Sequence, residues 1–155
     1  MHEVMKYLHI LSAFAMVAGA GAANLLSLRL RCTKNTAVIA GLASLRSTVA
    51  RFVLMPAAIL TILLGIGLSH VAGYFLSSPW LMLSLVATLV VVFAGMLMSG
   101  PITRRIRVRA EELQAEGVTE TDEFKPLAGL LGAYAWSDFF ITALIIYLMV
   151  VKPGA

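Results

Sequence analysis

Four long apolar stretches constrain the fold of this 155-residue chain more than any other feature of its sequence. Each has at least the roughly 20 residues that a helix needs to cross the ~30 Å hydrocarbon core of a bilayer. The four stretches are residues 4–28, 52–76, 79–99 and 127–151. The sequence therefore predicts one transmembrane domain, residues 1–155, whose chain crosses the membrane four times.

The composition excludes both a water-soluble globule and a disordered chain. Hydrophobic residues make up 60% of the sequence and charged residues only 13%, whereas soluble domains carry about 25% charged residues. Disordered chains are poor in hydrophobic residues and rich in charge, which is the opposite pattern. The partner that the composition requires is therefore the lipid bilayer.

The positive charges predict how the chain is oriented in the membrane. Ten of the twelve Lys and Arg residues lie between the first and second or between the third and fourth apolar stretches. Because cytoplasmic loops are enriched in Lys and Arg, both segments are expected to face the cytoplasm and both termini the outer, periplasmic side. No aromatic residue interleaves with the basic run, as a base-stacking surface would require, so no nucleic-acid partner is expected. The ten residues are Arg29, Arg31, Lys34, Arg46, Arg51, Arg104, Arg105, Arg107, Arg109 and Lys125.

The two basic connections have helical patterns of their own. The first is expected to contain the start of the second helix, near Thr36. In the other, the sequence predicts a cytoplasmic amphipathic helix over residues 102–116, following a helix break at Gly100-Pro101. Its charges are offset by carboxylates about one turn further along the chain.

Small side chains predict how the helices associate. Apolar helices in lipid pack through small residues, because the lipid tails give them no hydrophobic reason to associate. Three of the four helices carry such residues at four-residue spacing, which predicts an all-α, antiparallel transmembrane four-helix bundle. The three ladders are Ala15, Gly19 and Ala23, then Gly65, Ser69 and Gly73, and finally Gly129, Ala133 and Ser137.

Apart from Lys6 at the polar start of the first stretch, three histidine or charged residues lie within the apolar stretches and are candidate functional residues by that fact alone: His9, His70 and Asp138. At ~1.5 Å per helical residue, the two histidines lie about 10 Å from the bilayer centre in the same leaflet. Neighbouring antiparallel helices would thus present two imidazoles at matching depth. That arrangement suits two axial ligands of one haem iron, or two ligands of another metal.

Other interpretations of these residues stay open. Either histidine can serve as an ordinary polar side chain, and helices in contact at ~8 to 10 Å leave no room for a porphyrin between them. Asp138, near the midplane of the fourth helix, is expected to be a neutral acid bonded to a hydroxyl or carbonyl group. Its alternative roles are a proton relay, ion passage through an oligomer, and a contact between copies of the chain.

Six sequence motifs stand out along the chain: Tyr7-Leu8-His9-Ile10-Leu11-Ser12, the Gly19/Gly21 pair, Pro56-Ala57, Leu64-Gly65, Gly73 followed by Ser78-Pro79-Trp80-Leu81, and Tyr147-Leu148-Met149-Val150-Val151-Lys152-Pro153. Together they resemble a family of predicted bacterial integral membrane proteins of unknown function. One difference is the run Met96-Leu97-Met98-Ser99-Gly100-Pro101, which lacks the Trp that the family often carries there. The resemblance implies a four-span inner-membrane protein.

More distantly, the Leu8-His9 pair and the glycines after it are similar to copper-resistance D-type proteins and to haem-containing membrane protoporphyrinogen oxidases. In these oxidases a first-helix His is expected to bind haem, and the resemblance carries this role to His9 alone. The other basic and aromatic residues of the oxidases have no clear counterpart here, so their activity does not transfer.

The leading functional hypothesis is a multi-pass bacterial inner-membrane protein that binds haem b or acts in redox chemistry, with His9 and His70 as cofactor ligands. The alternative is a non-enzymatic scaffold or accessory subunit that acts through helix packing, as a homo-oligomer or with a membrane-protein partner. No catalytic residue and no separate metal site is assigned, so enzymatic activity is neither predicted nor excluded.

Overall fold

The computed structural model of the chain describes residues 2–73 and 78–153, and it is almost entirely helical. Within those residues the one β-type contact is an isolated bridge between Asn35 and Glu120. The predicted all-α fold class is confirmed. The α-helices are α1 (His2–Cys32), α2 (Thr36–Val49), α3 (Met55–Val71), α4 (Pro79–Ala94), α5 (Gly100–Ala115) and α6 (Lys125–Val151). A first π-turn (Ala50–Leu54) joins α2 to α3, and a second π-turn (Gly95–Ser99) joins α4 to α5.

These elements form four continuous rods, each long and apolar enough to cross a membrane: α1, α2–α3, α4–α5 and α6. At one end of the bundle, the loop end, Asn35 pairs with Glu120. At the other, the terminal end, Lys152 lies over the ring of Trp80. The rods are therefore antiparallel, as predicted. Residues 74–76, where the second apolar stretch ends, lie outside the described residues, and the side of the membrane that each end faces stays a prediction.

Hydrogen bonds join the two connections at the loop end. The side chain of Asn35 caps α2 by accepting from the amide of Val38 at 3.1 Å, so the helix begins at Thr36 where the sequence predicted. Thr36 then reaches across to the other connection. Its amide donates to the carbonyl of Thr119 at 3.0 Å and its hydroxyl to that of Val118 at 2.7 Å. The two connections thus form one layer at this end of the bundle.

The predicted helix break at Gly100-Pro101 is wrong, because α4 continues into α5 through the second π-turn. Proline lacks an amide hydrogen, and in an α-helix its ring collides with the carbonyl four residues earlier. The widened turn relieves this conflict, since the amide of Gly100 bonds to the carbonyl of Gly95, five residues back. The first π-turn precedes Pro56 in the same way.

The two halves of the bundle pack differently. Toward the loop end, α2 and α5 lie against each other, whereas toward the terminal end α3 and α4 scarcely touch. The two π-turns fall where the rods separate. Helix α1 contacts α2, α3 and α6, while α4 packs against α6. The apolar core is accordingly concentrated at the loop end, in Leu30, Ile39, Ala40, Ala43, Ile106, Ala110, Leu113, Phe124, Ala128 and Leu131.

The small-residue ladders of α1 and α3 pack where the sequence predicted, with one exception. A methyl group on Gly19 would lie 3.2 Å from Cγ1 of Val53, so α1 approaches the first π-turn closely there. Ser69 is buried on α3. Gly73 lies beyond the end of α3 with φ of 74°, a backbone conformation that favours glycine, so it belongs to the turn and not to the packed face.

The prediction that Gly129, Ala133 and Ser137 form the packed side of α6 is wrong. Ala133 and Ser137 are exposed, and a methyl group on Gly129 would meet no atom within 4 Å. Small residues occur on more than one side of α6, so four-residue spacing alone does not select the packed side. The buried residues lie on another side of the helix: Ala128, Leu131, Gly132, Ala135, Asp138, Ile145 and Leu148.

Candidate functional site

The separation of α3 from α4 opens a cavity of about 770 Å³ in the half of the bundle nearest the terminal end. Residues of α1, α3, α4 and α6 line it, and most of them are apolar. Its volume falls within the ~300 to 1,000 Å³ that is typical of small-molecule sites. The cavity is therefore suited to an apolar ligand. Its polar wall residues away from the mouth are His9, Thr61, Ser69, Thr88 and Thr142.

The imidazole of His9 is held by a hydrogen bond from α1 to α3. Its Nδ1 lies 3.1 Å from the carbonyl oxygen of Thr61. Because a carbonyl can only accept, Nδ1 must carry the proton in this bond. Nε2 then keeps its lone pair, which is the form in which imidazole binds a metal ion.

A glycine makes room for this ring. A methyl group on Gly65 would lie 3.0 Å from Cε1 of His9, closer than nearly all real contacts of that kind. One turn along α1 from His9, the hydroxyl of Ser12 lies 3.1 Å from that of Thr61. Helices α1 and α3 are therefore in close contact around His9, and the orientation of the imidazole is fixed.

The structure does not bring His70 to the cavity. His70 is exposed near the end of α3, whereas the residue before it, Ser69, is buried and lines the cavity. Successive residues of a helix point about 100° apart, which accounts for the difference. His2 lines the cavity together with His9, a position not expected from the sequence. The expected pair of imidazoles from His9 and His70 is therefore not assembled on one site.

Basic side chains gather where the cavity reaches the terminal end of the bundle. His2, Lys6 and Lys152 belong to its wall. The ammonium group of Lys152 lies 5.7 Å from the centre of the Trp80 ring, in cation–π contact. An amphiphilic ligand with an acidic group would therefore meet positive charge at this end while its apolar part filled the cavity.

Asp138 lies deeper in the bundle, one helical turn from the cavity-lining Thr142. The residue is only 4% exposed. Its Oδ2 accepts a hydrogen bond from Nδ2 of Asn24 at 2.7 Å, so its partner is an amide and not the expected hydroxyl or carbonyl. Its Oδ1 is buried and has no hydrogen-bond partner in the described parts of the chain.

Arg46 is a buried residue of the site that was not expected from the sequence. Counted there among the basic residues of the first connection, it is only 3% exposed in the structure. Its Nε donates to Oγ of Ser27 at 2.8 Å, its Nη1 to Oγ1 of Thr103 at 2.6 Å, and its Nη2 to Oγ of Ser99 at 2.5 Å. The guanidinium group thus joins α1, α2, the second π-turn and α5.

A sequence signal for the burial of Arg46 does exist. Ile39 and Ala43 precede it by about two turns and one turn on α2, and both are buried in the core. Residues at this spacing share one face of a helix. Arg46 therefore lies on the apolar face of α2, where a charge points into the bundle and not toward water.

The buried side chains of Arg46 and Asp138 belong to one polar network. Asp138 bonds to Asn24 and Arg46 bonds to Ser27, and residues three apart on α1 are neighbours on the helix surface. In the described ranges no ion pair within 4 Å joins the two charges directly, but they are close enough to attract each other. This attraction matters because an isolated buried charge is costly.

Comparison with known proteins places the chain in a family. No curated protein and no solved structure matches it. A family model described as a predicted integral membrane protein (DUF2269) matches residues 3–153. That range includes His9, Arg46 and Asp138. The chain therefore belongs to this family of predicted integral membrane proteins, as a multi-pass member with four helices apolar enough to span the bilayer.

Proposed function

We propose that this protein binds haem b in the cavity between α1, α3, α4 and α6, with His9 as the ligand of the iron and a role in redox chemistry. The observation that carries the proposal is the hydrogen bond between Nδ1 of His9 and the carbonyl of Thr61. Histidines that bind a metal usually donate their other ring nitrogen to such an acceptor, which fixes the tautomer and the ring orientation. Histidine is also a standard axial ligand of haem iron.

The packing of the helices supports this site. The close contact of His9 with Gly65 leaves no space for a porphyrin between α1 and α3. The free space lies instead between α3 and α4, which scarcely touch. A ligand there would have the imidazole of His9 in its wall, with no need to force apart two packed helices.

The charges at the terminal end suit the two propionate groups that haem carries. His2, Lys6 and Lys152 line the cavity at that end. Acidic groups placed there would be paired with positive charge, while the porphyrin ring would contact apolar side chains. Any ligand of this cavity is likewise expected to combine an acidic group with an apolar body.

The test is the absorption spectrum of the protein purified from haem-replete cells, together with two matched histidine variants. The wild-type protein is expected to show a Soret band. His9→Ala is expected to lose it, because the iron loses its ligand. His70→Ala is expected to keep it, because His70 is exposed and lies away from the cavity.

Two outcomes would overturn the proposal. One is a colourless wild-type preparation that is nevertheless folded, and the other is equal haem content in wild-type protein and His9→Ala. Thermal unfolding of all three proteins, followed by circular dichroism, establishes that a loss of haem is not a loss of fold. His70→Ala controls for the removal of an imidazole from the same half of the bundle.

The second candidate function is a scaffold or accessory role, favoured by the exposed side of α6. This side carries the small residues Gly129, Ala133 and Ser137, which allow another helix to approach closely. The test is the molecular mass of the protein in detergent. A wild-type dimer or larger assembly that Ala133→Leu converts to a monomer supports association of copies, and monomers in both contradict it. Next to this ladder lie three exposed aromatic rings in mutual contact, those of Trp136, Phe139 and Phe140.

A further inference from the structure

We infer that Asp138 is a proton-binding site that exchanges protons with the cavity and is closed toward the loop end of the bundle. Asp138 has this role whether or not haem is the ligand of the cavity. A carboxyl group in this position makes the binding of a cavity ligand and the uptake of a proton interdependent events.

One oxygen of Asp138 is available for a proton. Oδ2 is occupied by the amide of Asn24 at 2.7 Å, whereas Oδ1 has no hydrogen-bond partner among residues 2–73 and 78–153. A buried acceptor without a partner is destabilising. Protonation of this oxygen removes the net charge of the group, and loss of the proton restores a buried anion.

The cavity approaches this carboxyl group from the terminal end and ends one helical turn short of it. Thr142 follows Asp138 by one turn of α6 and lines the cavity, so the floor of the cavity is one turn away. Thr88 of the neighbouring helix α4 lines it too. Hydroxyl groups both donate and accept hydrogen bonds, so Thr142 is suited to pass a proton between cavity water and Asp138. The hydroxyl of Thr88 donates to the carbonyl of Ser84 at 2.8 Å and is left as an acceptor.

The opposite direction is closed by packing and by charge. Beyond Asp138 lie Arg46 and its hydroxyl partners, all of them 5% exposed or less. The buried apolar core fills the rest of the loop end. A fixed guanidinium charge also opposes the passage of protons and other cations, as in pores that exclude them with an arginine. Protons therefore reach Asp138 from the cavity and not from the loops.

Few charged groups act on Asp138. Arg46 of α2 attracts it, and Tyr134 lies one turn before it on α6. The hydroxyl of Tyr134 donates to the carbonyl of Val91 at 3.2 Å and is therefore occupied. Helix α4 carries no titratable side chain, and α1 has none between His9 and Arg29. Arg46 favours the ionised carboxylate, whereas the loss of water favours the neutral acid.

The test uses lipid vesicles that are sorted by which end of the bundle faces outward. Cys32 is the chain's one cysteine, and it is exposed at the loop-end terminus of α1. Wild-type protein is reconstituted at one molecule per vesicle and treated with a membrane-impermeant biotin maleimide. Capture on avidin then isolates vesicles whose loop end faces outward, and the remaining protein-containing vesicles have the cavity facing outward.

The readout is modification of Asp138 by dicyclohexylcarbodiimide, which enters through the lipid and reacts with protonated carboxyl groups. Mass spectrometry measures the modified fraction after the external pH is lowered. We expect the fraction to rise in the vesicles with the cavity outward and to stay unchanged in the captured vesicles. A proton ionophore is expected to abolish the difference, because it equalises the pH on the two sides.

Three results would overturn the inference. They are an equal response in both populations without the ionophore, a response in the captured vesicles alone, and no modification of Asp138 at any pH at which the protein is folded. The Asp138→Asn variant identifies the modified site, since its peptide must lack the mass increase. Because the measurement uses the wild-type chain, it does not depend on a variant that folds.

Discussion

Arg46 and Asp138 are both buried inside the bundle, and each forms a hydrogen bond to α1. Arg46 reaches α1 at Ser27 through a 2.8 Å hydrogen bond, and Asp138 reaches it at Asn24 through one of 2.7 Å. The two residues are therefore linked through one turn of a third helix. When Asp138 is ionised, removing either charge leaves the other uncompensated in an apolar interior.

This relationship predicts that the two residues are energetically coupled. Removing one member of a buried charge pair costs about 3 to 5 kcal/mol, because the other charge is left uncompensated. At a pH at which Asp138 is ionised, Arg46→Gln and Asp138→Asn are each expected to lower the free energy of unfolding by about this much. The double variant is expected to lose less than the sum of the two. The measurement is reversible unfolding in mixed micelles.

Arg29→Gln is the matched control for this comparison of the two single variants with the double variant. Arg29 is an exposed arginine near the loop end of α1, so its replacement is expected to change the free energy of unfolding by no more than about 0.5 kcal/mol. If the double variant lost as much free energy of unfolding as the two single variants together, the coupling of Arg46 and Asp138 would be contradicted.

The hydroxyl groups around Arg46 are expected to contribute more to the free energy of unfolding than exposed hydroxyl groups do. Thr103 accepts from Nη1 of Arg46 and is 1% exposed. Thr103→Val leaves a buried N–H without its acceptor, at a cost of about 1 to 3 kcal/mol in the free energy of unfolding. Thr48→Val on α2 is the matched control, because Thr48 is exposed and bonds only within its own helix. Equal effects of the two substitutions would count against the guanidinium site.

Gly65 is expected to be required for the orientation of His9. In Gly65→Ala the added methyl group would lie 3.0 Å from Cε1 of His9 and would displace the ring from the carbonyl of Thr61. Loss of such a supporting hydrogen bond lowers metal affinity by about 10- to 100-fold, and haem titration of the purified variant measures it. Gly21→Ala, where the methyl group meets no atom within 4 Å, is expected to bind as the wild type does. Equal affinities in the two variants would contradict the positioning role.

Asp122 is expected to hold the two loop-end connections together in a pH-dependent way. Its carboxylate lies 3.1 Å from Nζ of Lys125 and 3.3 Å from Nζ of Lys34. These hydrogen bonds, the one from Lys125 first, hold the pKa of Asp122 below its ordinary value. Because the pKa is lowered in the folded state, the contribution to stability is present above about pH 4 and is lost as the pH falls further.

Amide hydrogen exchange at Thr36, whose amide bonds to Thr119 across the connections, measures this effect. At pH 6 the wild-type protein is expected to be more protected than Asp122→Asn. The difference is expected to vanish as the pH falls below the lowered pKa, because the wild-type carboxyl group is then neutral as well. A difference that persists at the lowest pH would show that the ion pairs are not its cause. Glu120→Gln, at a residue without an ion pair in the described structure, is the control.

The fold could be predicted from the sequence because each rod is specified locally. Length and apolar content determine the number of membrane-spanning helices, and the short connections make neighbours antiparallel. The side of α6 that packs could not be predicted, because small residues surround that helix. The continuous helix through Pro101 could not be predicted either, since proline normally ends a helix and only tertiary packing selects the π-turn.

The candidate site was predictable only in part. His9 and Asp138 stand out because an ionisable residue in an apolar stretch is unusual. Arg46 was taken for one of the charges that set topology, although its position on the apolar face of α2 indicates burial. The depth of His70 in the bilayer follows from counting residues, but the direction of its side chain depends on helix rotation, which the sequence leaves undetermined.

The most direct test of haem ligation by His9 is chemical rescue of His9→Gly by free imidazole. The variant removes the ligand and leaves a space of the same shape beside Gly65 in the cavity wall. Without imidazole, the variant titrated with haem is expected to lack the Soret spectrum of the wild-type complex, and added imidazole is expected to restore it. A variant that binds haem with the wild-type spectrum before imidazole is added would contradict the assignment, as would one whose spectrum imidazole leaves unchanged.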